Sequence, residues 1–236
     1  EVNDGYDCIE WIASQAWCNG NVGMEGPSYL GTTQVLAAKA KPPALKCIIP
    51  AAFVGNASHC FPFSFGVPWK PSMQWFQLLD AERMDDVEIA YGDMESALKH
   101  PKWGKAFRHR PFVDAADEVL FGDKLKSYRE SFSNPMDNEV WVSNHFTDEQ
   151  LAELELPILF TDGWYDLTMG PINYFSRMEQ MNKNQDRYLL VGPWNHGQTY
   201  SKHEAGADDG ERILPDNAAI NLRKLRQTFF DRYLKG

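Results

Sequence analysis

The chain has 236 residues, enough for one large domain or two small ones, with 33 acidic against 23 basic side chains and a formal net charge of −10. That balance excludes a nucleic-acid surface, which needs clustered Lys and Arg to neutralise phosphates, and reads as a solvated acidic exterior. No apolar run approaches the length that spans a bilayer, and the four cysteines have neither zinc spacing nor a C-x-x-C pair.

Val2 to Ser14 reads as a helix with an apolar stripe of Tyr6, Ile9, Ile12 and Ala13. The first residue is not Met and this helix is already amphipathic, so the chain reads as starting inside a fold. After the turn Cys18-Asn19-Gly20-Asn21 comes a short strand, Asn21 to Met24. A helix follows from Tyr29 to Lys39, small and apolar over Val35, Leu36, Ala37 and Ala38, as suits tight packing on a sheet. Lys41-Pro42-Pro43 ends it. Leu45 to Val54 is nearly continuously apolar, the pattern of a strand buried on both faces of a parallel sheet, with Cys47 as a buried thiol.

From residue 56 to residue 154 the character changes to Trp, Phe, Pro and charge, including Trp69, Trp75, Phe76, Trp103, Phe107, Phe112, Phe121 and Trp141. Helical periodicity shows over Met73 to Arg83 and Ala115 to Phe132, without strand alternation. A hundred residues between two buried strands is too long for a loop. The segment reads as an inserted helical cap whose aromatics mostly form its own core.

The earlier pattern then resumes. Leu156 to Thr161 is a buried strand, Thr168 to Met181 a helix with Pro171 in its first turn, and Asp186 to Gly192 another buried strand. Glu204 to Glu211 is an acidic loop. Asp216 is placed to cap a last helix with Ile220, Leu222, Leu225, Phe229 and Tyr233 on one face. The class is α/β, with residues 1–55 and 155–236 forming a mostly parallel core around the 56–154 insertion.

Three stretches carry chemistry. Gly23-Met24-Glu25-Gly26-Pro27-Ser28-Tyr29-Leu30-Gly31 sets a serine in a glycine-flanked strand-to-helix turn, the way an α/β-hydrolase presents a nucleophile, although the second glycine stands one place later than in G-x-S-x-G. Asp162-Gly163-Trp164-Tyr165-Asp166 and Gly192-Pro193-Trp194-Asn195-His196-Gly197 each follow a strand. Ligand sites of open α/β sheets form at such carboxyl ends. A serine hydroxyl needs a base to take its proton, the role of His196. An acid must orient that base, and Asp166 competes with Asp162 for this place. The backbone N–H of Tyr29 is a candidate oxyanion donor. Each member also has a plainer reading: Ser28 as a turn residue, Asp166 as a helix cap, His196 as a loop histidine. A divalent ion on His196, His203, Asp208 and Asp209 is a weak alternative, because no helix fixes their geometry.

The residues Asp4-Gly5-Tyr6-Asp7, Glu10-Trp11-Ile12, Trp17-Cys18-Asn19-Gly20-Asn21-Val22-Gly23 and Gly26-Pro27-Ser28-Tyr29-Leu30-Gly31 resemble the cocaine-esterase / Xaa-Pro dipeptidyl-peptidase-like family of serine hydrolases. That family includes α-amino acid ester hydrolases and glutaryl cephalosporin acylases, and its elbow is typically G-x-S-Y-x-G. Gly163-Trp164-Tyr165-Asp166 is similar to its acid motif, Gly192-Pro193-Trp194-Asn195-His196 to its histidine motif, and Asn134-Pro135-Met136-Asp137 with Trp141 to a cap segment. The resemblance implies Ser28 as nucleophile, Asp166 rather than Asp162 as acid, and His196 as base. Trp164 and Trp194 are candidate walls of the substrate pocket.

The resemblance also implies strands before residue 1, one bearing a tyrosine of the oxyanion hole, and a jelly-roll β domain after residue 236. The 236 residues alone are then expected to be unstable or poorly active. The implied partners are a small-molecule ester or amide or a short peptide, the remaining segments of the same protein, and a second copy in a homo-oligomer. Nucleic acid, membrane, cofactor and metal are not among them. Ester or β-lactam-side-chain acyl hydrolysis leads, with release of Xaa-Pro dipeptides second. A non-catalytic binding module on the same fold is the rival from another class, set back by the presence of all three triad residues.

Overall fold

The computed structural model describes residues 1–55, 63–64, 67–69, 72, 75–76, 96, 99–115, 126–133, 146–181, 186–199, 217 and 220–235. The chain divides into two compact units, Glu1–Asn56 with Asn144–Gly236, and Ala57–Ser143.

The first unit is built on a four-stranded parallel sheet. Its elements are α1 (Val2–Ala13), β1 (Val22–Pro27), α2 (Tyr29–Lys39), β2 (Leu45–Ala51) and, further along the chain, the elements that follow residue 144. The second unit contributes β3 (Phe63–Ser64), β4 (Val67–Pro68), α3 (Lys102–Ala106), a 3₁₀ turn (Phe112–Asp114) and α4 (Lys126–Ser133). The chain then returns to the first unit with α5 (Asp148–Ala152), β5 (Ile158–Gly163), α6 (Gly170–Met181), β6 (Arg187–Gly192) and α7 (Leu222–Leu234).

The strand order is β1-β2-β5-β6, every pair parallel. Both faces of such a sheet are covered, so the strands alternate between two apolar layers rather than between core and water. On β2, Ile48 joins Val35, Leu36, Ala37 and Ala38 of α2, Ile9 of α1 and Tyr174 and Met178 of α6. Its neighbours Cys47 and Ile49 turn the other way, to Leu159 of β5 and Phe229 of α7. Burial pushes the Cys47 thiol up to about 12, so it stays a neutral packing group.

The strand and helix bounds differ from the sequence reading at a few places. β1 runs on to Pro27, because Glu25, Gly26 and Pro27 keep register with Ile49, Pro50 and Ala51 of β2. Residues 146–154 belong to the core unit and not to the insertion. Phe146, Leu151 and Leu154 are buried in the same layer as α2, and Arg177 of α6 holds Asp148 with Nε at 2.8 Å and the Phe146 carbonyl with Nη2 at 2.9 Å. The last helix is capped by Asn221, whose side chain accepts from the Lys224 N–H at 2.9 Å, and not by Asp216, which lies outside the described residues. The acidic loop of Glu204 to Glu211 lies outside them too.

In the second unit Phe76, Trp103, Ala106, Ala115 and Tyr128 form a small core with Phe107, Phe112 and Phe132 against it. Tyr128 is buried and its hydroxyl donates to the Phe112 carbonyl at 2.7 Å. This segment also holds strands that the sequence reading did not give it, the antiparallel pair β3–β4. Most of Met73 to Arg83, residues 116–125 of the second expected helix, Phe121, and the Asn134-to-Trp141 segment lie outside the described residues.

Candidate active site

The sheet register brings three strand ends to one edge. Pro27 pairs with Ala51, Ala51 with Thr161, and Gly163 with Gly192, so the chain leaves β1, β5 and β6 at the same side. Ser28, Asp166 and His196 all lie on the segments that emerge there.

Ser28 caps α2 with φ 55° and ψ −125°, a backbone region that residues with a Cβ rarely enter. The surroundings hold it there. Its N–H donates to the Ala51 carbonyl at 3.0 Å, and its own carbonyl accepts from Gly31 at 2.9 Å and Thr32 at 3.2 Å. The small residues of the turn are needed for space. A Cβ on Gly26 would lie 2.7 Å from the Leu30 Cβ, and one on Gly31 would lie 2.9 Å from the Ala51 carbonyl oxygen and 2.8 Å from the Phe53 Cβ. The late glycine therefore has a local cause: α2 passes the end of β2 at Gly31 with no room for a Cβ. The amide of Tyr29 is the first of the helix, ahead of the helical hydrogen-bond ladder and at the positive end of its dipole. The Tyr29 phenol donates to the Glu1 carboxylate, and burial together with that carboxylate pushes it up to about 12.

The acid and base loops are joined to each other. Past the last paired residues of β5 and β6, the Trp164 N–H donates to the Gly192 carbonyl at 2.8 Å and the Tyr165 N–H to the Trp194 carbonyl at 3.0 Å. Gly163 allows this approach, since a Cβ there would lie 2.3 Å from the Trp194 oxygen. The result is a close Asp–His pair: His196 Nδ1 is 2.8 Å from Asp166 Oδ1 and 3.1 Å from Oδ2. The Asp166 carboxylate is fully buried and also accepts from the Thr168 N–H at 2.9 Å and the Thr168 hydroxyl at 3.2 Å. The His196 side chain is about a third exposed, at 31 %. With Nδ1 donating to a carboxylate, Nε2 of the neutral ring is the nitrogen that carries the acceptor lone pair.

A pair that the sequence reading missed fixes the histidine turn. Asn195 N–H donates to Gln198 Oε1 and Gln198 N–H to Asn195 Oδ1, both at 3.0 Å, while Thr199 donates from N–H and hydroxyl to the Asn195 carbonyl. This is the reciprocal N-terminal box of a helical turn, and its trace in the sequence is N-x-x-Q.

Asp162, the rival acid, lies inside the protein. It is fully buried, its Oδ1 accepts the Gly163 N–H at 2.9 Å, and its Oδ2 makes no hydrogen bond among the described residues. Burial pushes it up to about 8; the neighbouring charge of Asp166 adds to this, and the Gly163 and Ile172 amides pull the other way. Of the two tryptophans, Trp164 is 72 % exposed beside Asp166, with Tyr165, Leu167 and Met169 also exposed on the same loop. Trp194 is fully buried against Leu190, Ile220 and Leu222, so it packs the core and presents no surface to a substrate. No group of three or more His, Cys, Asp or Glu is placed to hold a metal among the described residues; His203, Asp208 and Asp209 lie outside them. No helix among them is long and apolar enough to cross a membrane.

A parallel sheet covered on both faces, with a strained serine at a strand-to-helix turn and an Asp–His pair at the ends of two further strands, defines an α/β-hydrolase fold. Residues 1–198 match the X-Pro dipeptidyl-peptidase (S15) family, and the chain belongs to that family. It is 29 % identical to cocaine esterase of Rhodococcus sp. (strain MB1 Bresler) over 252 residues, which take in 99 % of this chain and 40 % of that one. Among solved structures it is similar to an α-amino acid ester hydrolase, with 26 % identity, a TM-score of 0.61 and 99 % and 38 % of the two chains covered. An aminopeptidase from a marine sediment Thaumarchaeota archaeon shares the fold with a TM-score of 0.69 at 22 % identity, again over 99 % and 38 %. The chain thus spans about two fifths of the length of the curated relative it matches.

Proposed function

We propose that the protein hydrolyses ester or amide bonds through an acyl-enzyme, with Ser28 as nucleophile, His196 as general base and Asp166 as its orienting acid. The observation that carries this reading is the buried Asp166 carboxylate at 2.8 Å from His196 Nδ1, on the same sheet edge as the strained Ser28.

His196 Nε2 takes the Ser28 proton as Oγ attacks the carbonyl carbon. The carbonyl oxygen gains the negative charge and receives a hydrogen bond from the Tyr29 amide at the start of α2. Collapse of the tetrahedral species breaks the bond to the alcohol or amine, which leaves with the proton from His196. A water activated by the same base then attacks the acyl-enzyme, and Ser28 regains its proton as the carboxylic acid departs. Asp166 keeps Nε2 unprotonated at the start and stabilises the imidazolium that forms.

The exposed apolar loop of Trp164, Tyr165, Leu167 and Met169 beside Asp166 favours an acyl or leaving group with apolar bulk. The names of the relatives span esterase and peptidase chemistry, so ester and Xaa-Pro amide substrates are compared directly in the test. A fluorophosphonate probe applied to the full-length protein is expected to add one adduct, lost in Ser28→Ala. Ester turnover is expected to fall by about a millionfold in the same variant. An adduct that persists in Ser28→Ala, or unchanged turnover, refutes the assignment.

A further inference from the structure

We propose that Gln34 is a positioning residue for Ser28: its amide ties both flanks of the strained elbow to strand β2. The proposal rests on the reading of Ser28 as the nucleophile.

Gln34 lies in the second turn of α2, a helix that otherwise faces the sheet with Val35, Leu36, Ala37 and Ala38, and it is fully buried among them. A primary amide has two donor hydrogens and an acceptor oxygen, and leaving any of them unmet in the interior is costly. All three kinds are met here. Nε2 donates to the Gly26 carbonyl at 3.0 Å and to the Leu30 carbonyl at 2.9 Å, and Oε1 accepts the Ile49 N–H at 3.0 Å. Only this orientation works, since exchanging Oε1 and Nε2 would set oxygen against two carbonyls and N–H against N–H.

The positions of these partners give the residue its role. Gly26 stands two residues before Ser28 and Leu30 two residues after it, so one amide group spans the elbow from both sides. Ile49 stands two residues before Ala51, whose carbonyl takes the Ser28 N–H. Beyond the β1–β2 ladder, elbow and strand are thus joined at the serine and through Gln34. The two flanks also touch: Gly26 has no room for a Cβ against Leu30. For Ser28 to relax from φ 55° toward an ordinary backbone conformation, Gly26 and Leu30 must shift relative to each other. The shared amide resists this shift. Holding Ser28 there keeps its Oγ and the Tyr29 amide aimed at one point, the condition for attack and oxyanion stabilisation to act together.

The test compares the full-length wild type with Gln34→Met, similar in length but without the hydrogen bonds, and Gln34→Glu. Readouts are the fluorophosphonate labelling rate constant per active site, the labelled fraction, kcat, KM and the unfolding midpoint. Gln34→Met is expected to lower the labelling rate constant and kcat together by about 100-fold, the scale of a misplacement near 1 Å, with KM little changed. Gln34→Glu supplies one donor and one acceptor when protonated, but only acceptors when ionised. Its activity relative to wild type is expected to rise as pH falls, while the Gln34→Met ratio stays flat. A purely structural role would instead shrink the labelled fraction and leave the rate constant per active site unchanged. That result, a wild-type rate constant in folded Gln34→Met, or failure of both variants to fold, overturns the proposal. Absence of wild-type labelling, or label surviving Ser28→Ala, overturns the underlying catalytic reading instead.

Discussion

Asp162 is a carboxylic acid sealed into a strand, and its removal has a calculable effect on stability. Burial raises it from 3.8 in the unfolded chain to about 8 in the fold. Between those values the folded protein holds a proton that the unfolded chain has released. Stability therefore falls as pH rises through this window, at about 1.4 kcal/mol per pH unit, and the loss saturates above about pH 8. The full window gives a ceiling of about 6 kcal/mol. Relaxation and water entry in real interiors bring the expected effect nearer 3 kcal/mol. Asp162→Asn keeps an acceptor for the Gly163 N–H and the shape of the side chain but cannot ionise. The variant is expected to match wild type near pH 3, below the unfolded value, and to exceed its stability by about 3 kcal/mol at about pH 8. Urea unfolding of both proteins across this range measures the difference, in which the shared titrations of other carboxylates cancel. Parallel pH profiles for the two proteins would refute the argument, because they would place the proton elsewhere.

Asp166→Asn is expected to reduce kcat by about 10,000-fold with little change in KM, because an amide facing His196 Nδ1 favours the wrong tautomer; steady-state kinetics on a chromogenic ester checks it. Gly31→Ala forces a methyl to within 3 Å of the Ala51 carbonyl and the Phe53 Cβ, and is expected to lower unfolding free energy by about 1–3 kcal/mol in denaturant titration. Trp164→Ala is expected to leave the unfolding midpoint unchanged, since the ring is mostly exposed, and to lower kcat/KM for aromatic acyl esters about 10-fold relative to acetyl esters. An equal effect on both ester classes would remove Trp164 from the pocket wall.

The elements legible in the sequence are those whose signal is local. β2 and β5 are runs of apolar residues because both faces of the sheet are covered, and α2 shows as small apolar residues between a serine turn and Pro42-Pro43. The last residues of β1 were not legible, since Glu25, Gly26 and Pro27 have poor strand propensity and only pairing with β2 keeps them extended. At five residues α5 is too short for periodicity, and its one local mark is the box between Thr147 and Gln150. Asp216 and Asn221 are both good cap residues, and α7 begins directly after Asn221. Trp194 follows a strand and a proline, as a pocket residue would, but Ile220 and Leu222 from the last part of the chain bury it. No local pattern carries that information.

The two candidate acids show how sequence spacing becomes geometry. Both Asp162 and Asp166 stand near the end of β5, and their residue type does not separate them. The sheet does so through two hydrogen bonds beyond its last paired residues, from Trp164 to Gly192 and from Tyr165 to Trp194. Asp162 precedes Gly163 within the paired part of the strand, so its side chain is committed to the interior. Asp166 is the first residue after the two bonded amides, where the chain turns back through an Asp166 N–H to Gly163 carbonyl bond of 3.0 Å. The histidine loop runs beside it, its turn held by Asn195 and Gln198. A carboxylate placed there meets an imidazole and two donors of Thr168, whereas the carboxyl of Asp162 meets a low-dielectric interior, which favours its neutral form. Two identical side chains four residues apart therefore meet opposite surroundings. Of the two, it is Asp166 that the backbone has brought within 2.8 Å of His196 Nδ1.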